Sequence, residues 1–262
     1  MLQEVTPAAF EAFRALFADG RHAIDPALCS ADPLPRHGVV LWSDRLAFRG
    51  ASPGEQMVLP HRFLCCDLAF VEQRGYFRAC SYHAINGEQG DDGFDKPRFS
   101  YQVARWLEDE PRPVIIGMDA NSPAVDHPDL EKTECHFDWL GPRHFERALL
   151  GPEARHRQFD VWRRWLEEHP DAMASVVTDR PEGPLAVSHR TGRTQSREGN
   201  PQRFDHILAT EGDFRVFAAA YDYDGGLAAG SDHALVTATL EVRLTAGERH
   251  GPDFVLPTAV RA

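Results

Sequence analysis

The chain has 262 residues, 42% hydrophobic and 26% charged, with 28 Lys and Arg against 40 Asp and Glu and a formal charge of −12. That length suits one large α/β domain or two small ones, of which one domain is the expectation, and the charge argues against a general grip on nucleic-acid backbone, which needs a basic face with many Lys or Arg contacts. No apolar run reaches transmembrane length, no signal peptide is indicated, and five scattered cysteines without CxxC spacing point to neither a zinc site nor a disulfide framework, so a cytoplasmic location is the expectation.

Thr6 and Pro7 supply an N-cap and a first-turn proline. Phe10, Phe13 and Phe17 then recur at helical spacing until Gly20, which predicts a helix over about 7–19. Glu4 stands just before it, at the end of what reads as the last residues of a strand. After a loop rich in Pro and Asp, Gly38–Trp42 and Leu46–Phe48 read as two short strands joined by a tight turn. Phe63–Val71 and Tyr76–Tyr82 form a second apolar pair around Gln73-Arg74-Gly75, a hairpin with His83 at its exit. Residues 87–95 read as a solvated loop, and Ser100–Leu107 as a helix.

The helix leads into Pro113-Val114-Ile115-Ile116-Gly117-Met118-Asp119-Ala120-Asn121-Ser122-Pro123, an apolar run with the pattern of a strand buried on both faces. Asp119 and Asn121 sit where it ends. Two residues apart, they project the same way on extended backbone, a pairing that suits a hard cation or a phosphoryl oxygen, or that merely turns the chain. From about 126 to 178 the pattern becomes irregular and helical, an elaboration in which Phe159, Trp162, Trp165 and Leu166 are spaced as a buried helix face ended by His169-Pro170. Ser188–Arg203 is a polar loop concentrating positive charge in His189, Arg190, Arg193, Arg197 and Arg203. It is either solvated or in contact with substrate, with Arg190 and Arg193 as the candidate substrate-binding residues. Strands resume at Phe204–Ala209 and Phe214–Ala219. Ala234–Leu244 then alternates with one face mostly apolar, and Ser231-Asp232-His233 stands at its start.

Glu4, His83, Asp119, Asn121, Asp205, Asp232 and His233 thus all lie at or near predicted strand ends, where α/β architectures gather functional groups. With these residues in place the chain resembles the endonuclease/exonuclease/phosphatase superfamily over nearly its whole length. Leu2-Gln3-Glu4 is similar to its LQE motif, Ser81-Tyr82-His83 to its histidine strand, and Arg98 with Gln102 to its RxxxQ helix. Gly117-Met118-Asp119-Ala120-Asn121 resembles GDxN with one residue inserted, Arg203-Phe204-Asp205-His206-Ile207-Leu208 resembles RxDHI, and Ser231-Asp232-His233 resembles SDH.

The resemblance implies a single domain over 1–262 with the DNase I-like fold, a two-layer β-sandwich flanked by helices, and a metal-dependent phosphoesterase. In it Glu4 and Asp232 would hold Mg2+ or Mn2+. His233, oriented by Asp205, would be a general base or a phosphate-stabilising imidazole, Asp119 would align or deprotonate water, and Asn121 and His83 would bind phosphoryl oxygens. Its substrate would be a phosphate ester, either a small molecule or a nucleic acid. Family members also place a strand with a metal-facing Asn before the LQE strand; this chain shows neither, so the expectation is a start further upstream or a weakened metal site. Two function classes follow, a hydrolase and a silent relative that keeps the fold for binding.

Overall fold

The structure, a computed structural model, describes residues 1–16, 21–24, 38–43, 46–53, 56–70, 76–86, 94–138, 146–192 and 198–243. Its N-terminal part is a three-stranded antiparallel sheet of β1 (Leu2–Val5), β2 (Arg21–Ile24) and β3 (Gly38–Ser43), in spatial order β1-β3-β2. Helix α1 (Pro7–Leu16) follows β1 and sets Phe10 against Val5 and Val40. Its first turn is held by Thr6, whose Oγ1 accepts from the Ala9 amide at 3.1 Å.

The larger sheet has six strands. They are β4 (Leu46–Pro53), β5 (Phe63–Phe70), β6 (Tyr76–His83), β7 (Val114–Asp119), β8 (Gln158–Asp160) and, after the small hairpin of β9 (His189–Thr191) and β10 (Asn200–Gln202), β11 (Asp205–Thr210). Their order is β4-β5-β6-β7-β11-β8, with only the β6–β7 pair parallel. A parallel neighbour needs a crossover, and α2 (Asp95–Asp109) supplies it. The last strands, β12 (Phe214–Asp222) and β13 (Leu235–Val242), form a separate antiparallel ribbon joined through α6 (Tyr223–Ala228).

Alternation along the central strands builds the layers. Phe63 and Cys65 of β5, Cys80 and Tyr82 of β6, and Val114, Ile116 and Met118 of β7 pack against Phe99, Val103 and Leu107 of α2, while Leu149 of α3 (Arg147–Leu150) joins the same cluster. The opposite face carries Leu64, Cys66, Leu68, Phe77, Ala79 and Ala209 against Val39 and Leu41 of β3 and Phe214 and Val216 of β12. The result is a two-layer β-sandwich with helices on its outside. Val114-Ile115-Ile116 is apolar throughout because it meets both layers.

Several elements differ from their sequence reading. β3 and β4 are not a hairpin: β3 pairs with β1 and β2, β4 with β5, so the chain crosses between layers at that turn. β2 lies where a loop is expected, and α2 begins at Asp95 rather than Ser100. The 126–178 stretch is not only helical, since Phe159 belongs to β8. In α4 (Val161–Glu168) the buried residues are Val161 and Leu166, while Trp162 and Trp165 stack on each other with centroids 4.9 Å apart. Pro170 opens α5 (Pro170–Asp179). The Gln73-Arg74-Gly75 turn, most of the 87–95 loop, Cys29, Arg193, Arg197 and the tail after Arg243 lie outside the described residues. Cys65, Cys66, Cys80 and Cys135 are buried free thiols, and no described helix is long and apolar enough to cross a membrane.

Among the described residues β1 and β13 belong to different sheets and are not hydrogen-bonded to each other. Both line a cavity of about 620 Å³, which takes in Met1–Glu4, Asp232–Val236, and Ile115, Gly117 and Ile207 of the six-stranded sheet.

Candidate active site

The ends of β1, β7 and β11 and the approach to β13 place Glu4, Asp119, Asp205, Asp232 and His233 in the lining of that cavity, while His83 at the end of β6 and Asn121 stand beside Asp119. β7 and β11 are in register with Asp119 opposite Asp205, and β6 with His83 beside Asp119, so the pairing itself sets three functional groups in a row. His83 is buried, with Nε2 3.4 Å from Glu4 Oε1 and 3.7 Å from Asp119 Oδ2. His233 places Nδ1 2.8 Å from Asp205 Oδ2, and its Nε2 lies 3.9 Å from Asp119 Oδ2. Glu4, His83, Asp119, Asp205 and His233 therefore form one continuous cluster.

Local backbone explains the aim of each group. Asn121 has φ 47°, a left-handed position open to Asn at some strain. Three bonds hold it there: its amide donates to Asp119 Oδ1 at 2.9 Å, Nδ2 donates to the Ala84 carbonyl at 3.0 Å, and its own carbonyl accepts from Lys96 Nζ at 2.7 Å. Glu4 also has positive φ, 54°. Asp205 is held by its backbone, its amide donating to Ser188 Oγ (3.1 Å) and its carbonyl accepting from the Tyr221 hydroxyl (2.6 Å). His233 is braced by α6, where Gly226 approaches so closely that a Cβ would collide with the His233 carbonyl oxygen. A side chain at 226 would push that backbone away.

Burial, and then the charge of Asp205, pushes the Asp119 carboxyl up to about 7 against the pull of His233 and the Asn121 amide. Burial alone would lower His233, but the hydrogen bond and charge of Asp205, with Asp119 behind it, raise it to about 9. At neutral pH the site thus holds an imidazolium beside a carboxyl poised to exchange its proton. A raised imidazolium stabilises the fold fully below about pH 6.5, and that stabilisation is lost as pH rises through 9. With Asp119, whose own titration His233 shifts, replaced by Asn in both proteins, the metal-free chain is therefore expected to lose about 2 kcal/mol more between pH 6 and pH 9.5 than its His233→Ala variant does. Parallel melting curves for the two proteins at both pH values check this, and equal losses would contradict it.

The other predicted residues stand further out. The Asp232 side chain is 73% exposed and lines the same cavity, but among the described residues it groups with His189 and His233, not with Glu4. Arg190 is occupied elsewhere, 3.6 Å from Glu198 Oε2 and over the Tyr223 ring. Arg203 corrects the polar-loop reading. It is 1% exposed, binds both oxygens of Asp160 at 2.7 Å and Asp126 Oδ2 at 3.1 Å, and donates from Nε to the Tyr221 hydroxyl at 2.8 Å. Sequence reasoning missed Arg62, which reaches His83, and Ser188 and Tyr221, which hold Asp205. It also missed the role of His189, whose ring lies 4.6 Å from that of His233.

The cavity offers carboxylates to a hard cation. Glu4, Asp119, Asp205 and Asp232 all line it, and a bound divalent ion would favour the ionised form of Asp119, which burial and then the charge of Asp205 oppose.

No protein-family model matches the chain, and no curated protein matches it. Solved structures do. Zebrafish TDP2 complexed with a single-strand DNA product superposes with a TM-score of 0.57 at 16% identity, covering 92% of this chain and 84% of that one. A mannosyl-6-phosphatase of Bacteroides thetaiotaomicron gives 0.53 at 13%, covering 91% and 83%. An endonuclease/exonuclease/phosphatase family protein from the same organism gives 0.52 at 13%, covering 92% and 82%. The two-layer sandwich and these superpositions agree that the chain has the DNase I-like fold of these structures.

Proposed function

We propose that the chain is a divalent-metal-dependent phosphoesterase that hydrolyses a phosphodiester or phosphomonoester with an activated water. The observation that carries this reading is the Asp205–His233 pair, 2.8 Å apart, facing Asp119 across the cleft. A carboxylate that orients an imidazole and keeps it charged gives the site a fixed cation where a phosphoryl group gathers negative charge. Asp119, near its midpoint at neutral pH, is suited to align an attacking water and take its proton. Asn121 and His83 bind phosphoryl oxygens from the opposite side, positioned by the left-handed turn after β7 and the end of β6.

Glu4 and Asp232 would hold Mg2+ or Mn2+, which when bound neutralises charge on a phosphoryl oxygen. Calorimetry with either ion is expected to show binding that Glu4→Gln abolishes; equal binding by the variant would remove Glu4 from the site. A survey of phosphate esters with and without Mg2+, from DNA ends to sugar phosphates, tests the activity itself. The fold leaves the ester open, since its superposed relatives include a DNA-product complex and a sugar phosphatase.

A second reading is a silent relative that keeps the fold as a binding module. It draws support from Glu4, which joins no three-donor group among the described residues. Metal binding without turnover of any ester would favour it.

A further inference from the structure

Lys96 belongs to no motif of the resemblance and stands where a helix least favours a cation, in the first turn of α2. It is 1% exposed all the same, a burial that lysine tolerates only with partners. Its Nζ lies 3.0 Å from Glu146 Oε1 and donates to the Asn121 carbonyl at 2.7 Å. Glu146 is equally buried. It precedes α3, and its Oε2 accepts from the His136 amide at 3.0 Å. Burial pushes the Glu146 carboxyl up, and the Lys96 charge leads what opposes that.

The other two bonds of Asn121 leave one end of its backbone free. Asp119 Oδ1 takes its amide and the Ala84 carbonyl takes its Nδ2, but neither touches the peptide unit that follows. In a residue at φ 47° the direction of that next carbonyl decides whether the left-handed turn is kept or relaxes to the conformations that side chains prefer. The exposed His136 ring also bonds this carbonyl, as a neutral donor, since burial and then the Lys96 charge hold its pKa down to about 4. Lys96 is the charged donor, and the buried one.

We propose that Lys96 is a positioning residue: anchored by Glu146, it fastens the Asn121 carbonyl and so keeps Asn121 in the left-handed turn that aims its side chain at the end of β6. That Asn121 meets a phosphoryl oxygen rests on the phosphoesterase reading; the hold on its backbone does not.

The test is the assigned 13Cα and carbonyl 13C signals of Asn121 in the metal-free full chain at neutral pH. In wild type the Lys96 ammonium is expected to be visible, protected from solvent, and to correlate across the hydrogen bond from its 15Nζ to the Asn121 carbonyl carbon. Lys96→Met/Glu146→Gln removes the donor without stranding a buried charge and keeps an acceptor for the His136 amide; it should lose the left-handed shifts of Asn121. Glu146→Gln alone, which keeps the donor, should retain them. A wild-type carbonyl without the ammonium correlation overturns the assignment before any variant is made, so failure of the double variant to fold leaves it decidable. Left-handed shifts that survive in the folded double variant overturn it too, as does their loss in Glu146→Gln, which would make the ion pair between the helices the cause. On any ester the survey identifies, the double variant should lose roughly 10- to 100-fold in kcat, and little more than Asn121→Ala already loses when added to it. An equal loss in both backgrounds would show Lys96 acting elsewhere. The expected signals in a chain that turns over no phosphate ester would sustain Lys96 as the holder of Asn121 and remove only the catalysis it serves.

Discussion

Asp205→Asn is expected to cost phosphoesterase activity about 10²- to 10⁴-fold while leaving the chain folded, and His233→Ala to cost a similar factor. The double variant should then be little worse than His233→Ala alone, because the carboxylate acts only through the ring it orients and charges. The fold survives since Asn at 205 keeps the two backbone bonds that fix the position, to Ser188 Oγ and the Tyr221 hydroxyl. Steady-state rates for the three variants, on whichever ester the survey identifies, close the cycle. Multiplying costs would sink the dyad, and with it the observation on which the enzyme reading rests.

The largest expected effect on stability is at Arg203. Arg203→Met would leave Asp160 and Asp126 buried without the guanidinium that both face, and would take from Tyr221 the donor that fixes its hydroxyl. Arg163 still pairs with Asp126 and His206 with Asp160, so the carboxylates are not abandoned outright. Breaking a buried charge network by removing one partner costs about 3–5 kcal/mol. For a chain of this size that lowers Tm by roughly 6 °C or more. Arg203→Lys, which keeps the charge but cannot serve Asp160, Asp126 and the Tyr221 hydroxyl from three separate nitrogens, should fall between. A Met variant melting within about 2 °C of wild type would show that the network does not stabilise the fold.

What could be read in the sequence follows from how local each signal is. The β7 run and the alternation of β13 are visible because their patterns sit within six to eight consecutive residues. Asp119, Asp205 and His233 could be named because each stands at the end of such a strand, inside a motif with a known order. β2 could not, since four residues with a single sheet neighbour carry no periodicity to detect. Arg203 was misread for a related reason: in a run of arginines it looks solvated, while its counter-ions Asp126 and Asp160 lie 77 and 43 residues away. Arg62 gave no signal, because its meaning arises only when the turn before β5, the end of β6 and the carboxylates of β1 and β7 meet.

The separateness of the β12–β13 ribbon bears on how long the site persists. The ribbon bonds to no other strand among the described residues, and the inward side chains of β13 are only half-buried. Its amides can therefore open to exchange with solvent in a local event that leaves the six-stranded ladder closed. Asp119 and Asp205 ride on the ladder, while Asp232 and His233 ride on the ribbon. An opening that also broke the bond from the Ala234 amide to the Ser188 carbonyl would take the imidazole away from its carboxylate, so the dyad would persist only as long as the start of β13 stays docked. A phosphoryl group bridging His233 and Asn121 would be, in the same terms, a clasp that slows the ribbon's breathing.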